Sequence, residues 1–381
     1  MTEQLKLKLN DSKATRWGAL VIVAFTMMAA YYVNDVVAPL KTMLETDLAW
    51  SSTDFGFFTG GYSFLNVFFL MLIWGGLILD RFGIRFTGKL ATILMVGGTA
   101  LEYYAMTGLA GADATLFGIN EIFGYKTGVF VAFAGYSIFG VGAEVAGITV
   151  SKIIAKWFKG KELATAMGVQ VALARIGSQA GYAVAIPLAR AFGISTPVLL
   201  GLVLLLGGMI AFFIFAVMDK KLDKQMEAAA IAAGTEDEEE KFSFKDVKNI
   251  LVNPGFWLIA LLCVLFYSCV FPFQKFASEL MIIKYGINEN VAGTFAGLPA
   301  LGALILTPVF GGFIDKRGKS ASIMLLGSAM LICVHFIYAI PDINYWLVAI
   351  VLMIILGIAF SLVPSAMWPA VAKIFPVSQL G

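Results

Sequence analysis

Apolar residues form ten long runs, separated by short polar segments, along most of this 381-residue chain. A helix needs about 20 mostly apolar residues to cross the hydrocarbon core of a bilayer, and each run has about that length. Internal prolines, which break helices in water, are tolerated inside a membrane bundle. The pattern predicts ten membrane-spanning helices, at residues 17–40, 55–79, 90–109, 128–150, 163–191, 197–218, 256–277, 291–314, 321–340 and 345–371.

Lysine and arginine are distributed unevenly over the polar segments. If the N-terminus is inside, the inner segments hold 21 of these residues and the outer loops hold five. Cytoplasmic loops of membrane proteins carry the excess of positive charge. The N-terminus is therefore predicted to be cytoplasmic.

One loop pattern occurs twice. The loop after predicted helix 2 contains Asp80 and Gly83, and the loop after predicted helix 8 contains Asp315 and Gly318 at the same spacing. The same offset in residue number also aligns predicted helix 1 with predicted helix 7. Glycine permits the tight turn that each loop needs, and aspartate is favourable at a helix N-terminus. The chain is therefore predicted to contain two copies of one helical unit.

These copies divide the chain into four parts. They are a cytoplasmic N-terminus (1–16), a first six-helix half (17–218), a cytoplasmic linker (219–253) and a second half (254–381). The linker contains an acidic run at 236–240 and is expected to be solvated. Two six-helix halves require twelve spans, so the last two are expected to be missing after Gly381.

The composition is typical of a membrane protein, and the net charge argues against nucleic acid as a partner. Sixty per cent of the residues are hydrophobic and 14% are charged, whereas soluble domains are about half apolar and a quarter charged. A net charge of +2 provides no basic excess for binding nucleic acid. No metal cluster, nucleotide loop or nucleophile triad is visible, so neither an enzyme nor a cofactor is predicted. The predicted partners are the lipid bilayer and a small-molecule substrate.

An ionisable side chain at mid-membrane costs about 2.5 to 3.5 kcal/mol on insertion scales, so each one needs a reason. Glu144 lies 15 residues before Lys159, and Arg175 lies 15 residues after Gly160, at the turn between helices 4 and 5. Both charges are therefore expected at the same depth in the membrane, roughly 20 Å from the cytoplasmic turn between the two helices. They could form a buried salt bridge that only fixes helix packing. Alternatively, they could bind the ammonium and carboxylate of a zwitterion such as a dipeptide.

Other ionisable residues of the apolar runs include Asp35, Glu102 and His335. Asp35, in the outer half of helix 1, is either a substrate-binding residue or a helix-end residue near the interface. Glu102, near the outer end of helix 3, is expected to extend to the interface. His335 is the only histidine, and we expect it to be packed and hydrogen-bonded rather than part of a proton relay.

The repeated Asp-Arg-x-Gly type of loop, with a long linker between the copies, resembles the major facilitator superfamily. Four stretches resemble its branch of lysosomal dipeptide transporters and their prokaryotic relatives. These are Tyr62-Ser63 with Asn66, W-F-K-G-K-E-L at 157–163, A-R-I-G-S at 174–178, and V-F-P-F at 270–273. The resemblance implies a twelve-helix, alternating-access carrier of short peptides that works as a uniporter.

The resemblance also implies residue roles. Glu144 and Arg175 match the substrate-contacting glutamate and arginine of that branch. Helices 1, 2, 7 and 10 line the cavity in this family, and the candidates on them are Asp35, Tyr31, Tyr32, Tyr62, Tyr267, Phe271 and Trp368. In the repeated loops, gating is predicted for Asp80, Arg81, Arg85 and Asp315.

Some features depart from that branch. Tyr136 stands where the branch has an arginine early in helix 4. Neither an acidic dileucine signal near the N-terminus nor an Asn-x-Ser/Thr acceptor in an outer loop is present, which favours a prokaryotic plasma membrane over a lysosome. One alternative is a proton-coupled symporter or organic-anion exchanger, with Arg175 as the anion clamp and Glu144 or Asp35 as the proton carrier. The other is a non-transporting receptor that keeps the fold.

Overall fold

The computed structural model describes residues 8–111, 114–233 and 251–374, and all ten predicted spans are helical within these ranges. Two short 3-10 turns, Leu9–Asp11 and Ala38–Leu40, flank the first helix. Strands β1 (Glu121–Ile122) and β2 (Tyr125–Lys126) form a small antiparallel pair. The helices are α1 (Lys13–Val36), α2 (Lys41–Asp47), α3 (Ser52–Phe68), α4 (Met71–Thr107), α5 (Thr127–Trp157), α6 (Leu163–Phe192), α7 (Thr196–Ala233), α8 (Pro254–Ile283), α9 (Glu289–Ala296), α10 (Leu298–Arg317), α11 (Ser320–Ala339) and α12 (Trp346–Ile374).

Fewer helices than the predicted ten qualify as membrane spans by length and composition. Within the described ranges, seven helical segments are long and apolar enough to cross a membrane, or up to eight if the bent pair α3 and α4 counts as one span. Predicted helices 2 and 3 share α3 and α4, and the non-helical residue Gly83 inside α4 separates them. Predicted helix 5 is α6, which is not among the seven and carries Arg175 and Arg190. The all-α membrane fold is as predicted.

A break at Phe69 and Leu70 separates α3 from α4, and the two helices are bent by 58°. Leu70 has a φ of 52°, in the left-handed region, which costs a non-glycine residue about 1 to 2 kcal/mol. Large apolar side chains on both sides of the break, Phe68 and Trp74 among them, are exposed. The second apolar run is therefore a bent pair of helices rather than one straight helix.

Each of the two repeated loops contains a glycine with a positive φ. Gly83, inside α4, has a φ of 75°, and Gly318, just after α10, has a φ of 66°. Both values lie in the left-handed region, which glycine adopts without a steric penalty. The structure thus places a turn at the glycine of each loop, as the sequence predicts.

The chain divides into two compact units, Met1–Thr235 and Glu236–Gly381. In the first unit, α7 continues to Ala233, so residues 219–233 of the predicted linker extend the sixth predicted span. The acidic run at 236–240 lies outside the described residues.

Close helix contacts organise the first unit, in which α4 packs against α5, and α1 packs against α6 and α7. A Cβ atom added at Gly177 of α6 would lie 2.1 Å from the backbone oxygen of Met28 in α1. One added at Gly98 of α4 would lie 2.4 Å from the backbone nitrogen of Phe139 in α5. These glycines therefore let backbones approach, as small residues do in membrane bundles. Because Gly177 is two residues after Arg175, the same contact brings Arg175 to α1.

In the second unit, α10 and α11 both pack against α12. Their contact includes the buried apolar residues Ile314, Ile323, Leu362 and Ala366. Helix α8 also packs against α9 and α12.

Candidate functional site

Tyr62 and Glu144, both predicted to bind substrate, contact each other directly. The Tyr62 hydroxyl of α3 donates a hydrogen bond of 2.7 Å to Oε1 of Glu144 in α5. Both side chains are half-buried. Among the ion pairs of the described residues, none includes Glu144. Glu144 is therefore held in place by a neutral donor.

Arg175 lies close to a different tyrosine. Its guanidinium carbon lies 5.7 Å from the ring centroid of Tyr31 in α1, which is within the range of a cation–π interaction. The Tyr31 hydroxyl is within electrostatic range of Arg175, Glu144 and Asp35. The structure thus brings together five residues of the first unit, here named the Glu144 group: Tyr31, Asp35, Tyr62, Glu144 and Arg175.

Asp35 is oriented by its neighbour Asn34. The Asn34 side-chain amide donates to Oδ1 of Asp35 at 2.8 Å. The Tyr136 hydroxyl of α5 donates to the backbone oxygen of Asn34 at 2.7 Å, and its distance to the side-chain oxygen is 3.1 Å. Tyr136 is fully buried and stacks on Phe139. A polar chain from Tyr136 through Asn34 therefore fixes Asp35, a half-buried residue in the last turn of α1.

Glu102 does not lie where the sequence suggested. We expected it to extend to the membrane interface, but its side chain is fully buried in the first unit. It lies at the close α4–α5 contact, where a Cβ atom added at Gly135 would be 2.9 Å from the Glu102 backbone nitrogen. The expectation was wrong because α5 covers this face of α4.

Tyr32 is buried, and its hydroxyl donates to the backbone oxygen of Pro197 in α7 at 3.2 Å. The other cavity candidates belong to the second unit. Tyr267 of α8 stacks on Phe271 with ring centroids 5.2 Å apart, and it meets Phe360 of α12 edge-on at 6.4 Å. Phe266 also stacks on Phe360. Trp368 of α12 is 55% exposed and lies outside this aromatic cluster.

One predicted gating residue belongs to a buried ion network. Arg85 pairs with Asp219 and Asp223 of α7 at 3.4 and 2.5 Å, and Lys156 of α5 pairs with the same two acids at 2.7 and 2.5 Å. The Trp157 indole also donates to Asp219 at 3.0 Å. Asp219 is completely buried. This Asp219 network ties α4, α5 and α7 together.

The other predicted gating residues differ in their surroundings. Asp80 is exposed and pairs with Lys152 of α5 at 2.8 Å. Arg81 is exposed, and its guanidinium carbon lies 5.5 Å from the ring centroid of its neighbour Phe82. The backbone of Asp315 lies in the last turn of α10, and its side chain is outside the described residues.

A second cluster of ion pairs joins the segment before α1 to the loop between α5 and α6. Arg16 and Lys13 pair with Glu162 at 3.0 and 3.5 Å, and Lys161 pairs with Asp11 at 2.5 Å. The hydrogen bond from Arg16 lowers the pKa of Glu162, and the one from Lys161 lowers the pKa of Asp11. We name these five residues the N-terminal clamp.

Sequence reasoning missed the buried role of Asp219 and the N-terminal clamp. A signal for both was present, because Trp157, Lys161 and Glu162 belong to the W-F-K-G-K-E-L stretch. That stretch was used only as a family resemblance. The structure shows that it supplies the indole that contacts Asp219 and the charges that contact the N-terminal segment.

Comparisons with known proteins agree with this geometry. The sequence model of the Major Facilitator Superfamily matches residues 19–381. The lysosomal dipeptide transporter MFSD1 of Homo sapiens is 28% identical, over 97% of this chain and 75% of its own. The protein of the same name from Danio rerio is 26% identical, over 95% of this chain and 74% of its own.

Solved structures show the same fold. A peptide transporter POT in complex with sulfate has a TM-score of 0.65 at 15% identity, covering 94% of this chain and 82% of its own. The xylose transporter XylE from E. coli has a TM-score of 0.64 at 16% identity, covering 95% and 85%.

The helical fold and the polar group inside the first unit define a multi-pass membrane transporter. The chain belongs to the Major Facilitator Superfamily, and the predicted resemblance to dipeptide transporters is confirmed. The predicted prokaryotic plasma membrane has no support among these relatives, which are named as lysosomal proteins.

Proposed function

We propose that this chain is a uniporter of free dipeptides, in which Glu144 binds the peptide ammonium and Arg175 binds the peptide carboxylate. The observation that carries this proposal is the hydrogen bond from Tyr62 to Glu144, in the neighbourhood of Arg175. The relatives named as dipeptide transporters support the substrate class.

The ammonium end follows from the geometry of Glu144. An ionised carboxylate accepts hydrogen bonds at two oxygens, and Tyr62 donates to Oε1 only. An ammonium at Oε2 completes the pairing of this charge. A simple organic anion is repelled by the same carboxylate, so the acid favours a zwitterionic ligand.

The carboxylate end follows from the chemistry of arginine. A guanidinium stacks through its face on an aromatic ring and binds a carboxylate through two parallel N–H groups at its edge. Tyr31 provides the ring. The edge of Arg175 then suits the C-terminal carboxylate of a peptide.

Uniport is the mode that the resemblance to the dipeptide-transporter branch implies. A symporter that is driven by protons requires a carboxylate that takes up a proton in each cycle. The acids of the Glu144 group are Asp35 and Glu144. We expect transport to follow the peptide gradient alone.

The test is uptake into proteoliposomes of a free dipeptide and of its N-acetylated and C-amidated forms. Each cap removes the peptide charge that Glu144 or Arg175 would bind, so both capped peptides should be transported poorly. Equal transport of capped and free peptides would exclude the zwitterion model.

A second arm tests the coupling mode. Uptake is measured with internal and external pH equal, and then with an inward proton gradient. The uniporter reaches equal concentrations on both sides in each case. Accumulation above the external concentration that is lost in Asp35→Asn would show a proton symporter instead.

A further inference from the structure

The loop between α4 and α5 contains two tight turns that have the same two residues at the tip. One turn lies between the paired residues Leu116 and Ile119, and the other joins β1 to β2. Both tips read Phe-Gly: Phe117 and Phe123 have φ values of 54° and 52°, and the glycine after each has a φ of 80°. Positive φ at both tip residues is the geometry of a type I′ turn, in which asparagine or aspartate usually precedes glycine. The sequence therefore twice places a bulky residue where the backbone disfavours it.

Both phenylalanines are also exposed. Phe117 is 95% exposed and Phe123 is 88% exposed. Neither the backbone strain nor the exposure stabilises the loop. An outlier of this kind is evidence for a role outside local folding, so we looked for the surface that such a ring would contact.

The hairpin of β1 and β2 is fixed to the helices beside it. Tyr125 stacks on Phe57 of α3, with ring centroids 3.9 Å apart and planes at 9°. The Thr127 hydroxyl, in the first turn of α5, donates to the backbone oxygen of Ile119 at 2.8 Å. These contacts hold the hairpin against α3 and α5 and so determine where its tip lies.

The tip of this hairpin lies beside α5. The ring centroid of Phe123 is 5.9 Å from that of Phe130, the fourth residue of α5. Helix α5 has 31 residues, so it is about 46 Å long, close to the thickness of a bilayer with its headgroups. The first turn of α5 therefore lies at headgroup level, and Phe123 lies next to that turn.

The apolar surface of the spans continues from this point. Phe130 lies 6.1 Å from Phe133 of the same helix, and Phe133 lies 5.3 Å from Phe64 of α3, which is 38% exposed. Helix α5 and the bent pair of α3 and α4 are apolar enough to cross a membrane, so lipid is the solvent of their exposed apolar side chains. Phe123 extends this row of rings at its predicted outer end.

We infer that the hairpin is a membrane anchor, in which the Phe123 ring inserts among the lipids at the predicted outer surface. Aromatic side chains such as tryptophan and tyrosine are enriched at this level of membrane proteins. Burial of the ring in lipid is favourable and offsets the strain of the turn. The anchor holds the outer ends of α3 and α5 at a defined depth.

Tryptophan fluorescence tests the contact with lipid directly. The full chain with Phe123→Trp is reconstituted in phosphatidylcholine bilayers with and without bromine on the acyl chains, and the wild-type emission is subtracted. The added tryptophan should emit at short wavelength and should be quenched by the brominated lipid. Glu121→Trp, at an exposed position of the same hairpin, is the matched control and should be quenched little.

Two results would overturn the anchor. Emission at long wavelength without quenching would leave the ring in water, and emission at short wavelength without quenching would place it under protein. The measurement needs no substrate, so its failure is distinct from failure of the proposed function.

Phe123→Asn tests whether the contact stabilises the protein, and the sign of the effect is decisive. Asparagine is the residue that a type I′ turn favours before glycine, so the change by itself stabilises the turn. If the ring is buried in lipid, its loss outweighs this gain, and the melting temperature in liposomes should fall. Phe117→Asn makes the same change at the other turn and should not lower it. A rise in Phe123→Asn, or equal shifts in the two variants, would contradict the inference.

Discussion

The charges of the first unit are arranged differently in the Glu144 group and in the Asp219 network. In the network, acids and bases neutralise each other, and completely buried Asp219 receives Arg85, Lys156 and the Trp157 indole. In the Glu144 group, the acid accepts a hydrogen bond from neutral Tyr62, and Arg175 lies against the ring of Tyr31. One region uses its charges to join helices, whereas in the other a tyrosine contacts each of Glu144 and Arg175.

This difference separates structural charges from charges that suit a ligand. Breaking a buried ion pair leaves an uncompensated charge and destabilises the fold. Removing a charge that binds the ligand weakens ligand binding and leaves the stability of the fold nearly unchanged. The following predictions test this separation, beginning with the largest expected effect.

Glu144→Gln should lower dipeptide uptake by about 100-fold, because loss of one partner in a desolvated charge pair costs about 2 to 5 kcal/mol. The melting temperature should change little. Arg175→Ala should give the same result. Uptake into proteoliposomes and thermal unfolding in detergent provide the two measurements.

Tyr62→Phe is the graded control for this prediction, since it removes the hydroxyl and keeps the ring. Loss of one hydrogen bond to a charged group, about 1.5 to 3 kcal/mol, should reduce uptake less than loss of Glu144 itself. If the melting temperature of Glu144→Gln falls together with uptake, Glu144 is a structural charge rather than a ligand-binding one.

Asp219→Asn should destabilise the protein by about 1 to 3 kcal/mol, because a buried group then meets its charged partners without a charge, while Asp223 still pairs with both bases. A lower melting temperature in detergent should show this. Asp223→Asn is the matched control, since the Asp223 side chain is 41% exposed and pairs with the same two bases. Equal melting temperatures of the two variants would show that the burial of Asp219 does not make it more important for stability than Asp223.

Asp80→Asn should reduce flux severalfold and leave ligand affinity unchanged. Its pair with Lys152 is exposed, and exposed pairs contribute about 0 to 1 kcal/mol, so stability should be preserved. The residue also lies in the repeated loop, which is predicted to be cytoplasmic. Asp315→Asn should behave in the same way.

Calorimetric binding and liposome flux are compared for each of these loop variants, with Lys152→Gln as the control for the ion pair alone. A loss of affinity as large as the loss of flux would contradict the gating assignment.

The N-terminal clamp should give the smallest effect, visible as a dependence of stability on pH. The pKa values of Asp11 and Glu162 are lowered in the folded protein. Their contribution to stability is therefore complete above the unfolded pKa values, about 3.9 and 4.3, and it is lost as pH falls through the lowered folded values.

The decrease in melting temperature on acidification from pH 6 should be shallower in Glu162→Gln than in the wild type. Glu121→Gln, at an exposed acid in β1, is the control. Identical acid profiles of Glu162→Gln and wild type would show that the clamp does not couple to folding.

Much of this arrangement was accessible from the sequence. Counting residues from the turn at Gly160 placed Glu144 and Arg175 at one depth, and the structure puts both within electrostatic range of Tyr31. The repeat of Asp80 and Asp315 also predicted a turn in each loop, and Gly83 and Gly318 both have a positive φ.

The rest depended on three-dimensional packing. Asp219 comes directly after an apolar run, so it was taken as the start of a solvated linker, whereas α7 continues through it and α5 covers it. Glu102 was misplaced for a similar reason, because only the close approach of α5 buries it. Hydrophobic runs report which segments are apolar, and they do not report which neighbour covers a particular side chain.

The bend at Leu70 has a consequence for the surrounding solvent. Helix α4 begins afresh after Leu70, whose carbonyl accepts from the N–H groups of Ile73 and Trp74, so the N–H groups of Met71 and Leu72 precede the first helical bond. Lipid tails cannot satisfy such groups, so water or protein must cover them. The bend therefore marks a point in the second apolar run where the backbone cannot be coated by lipid alone.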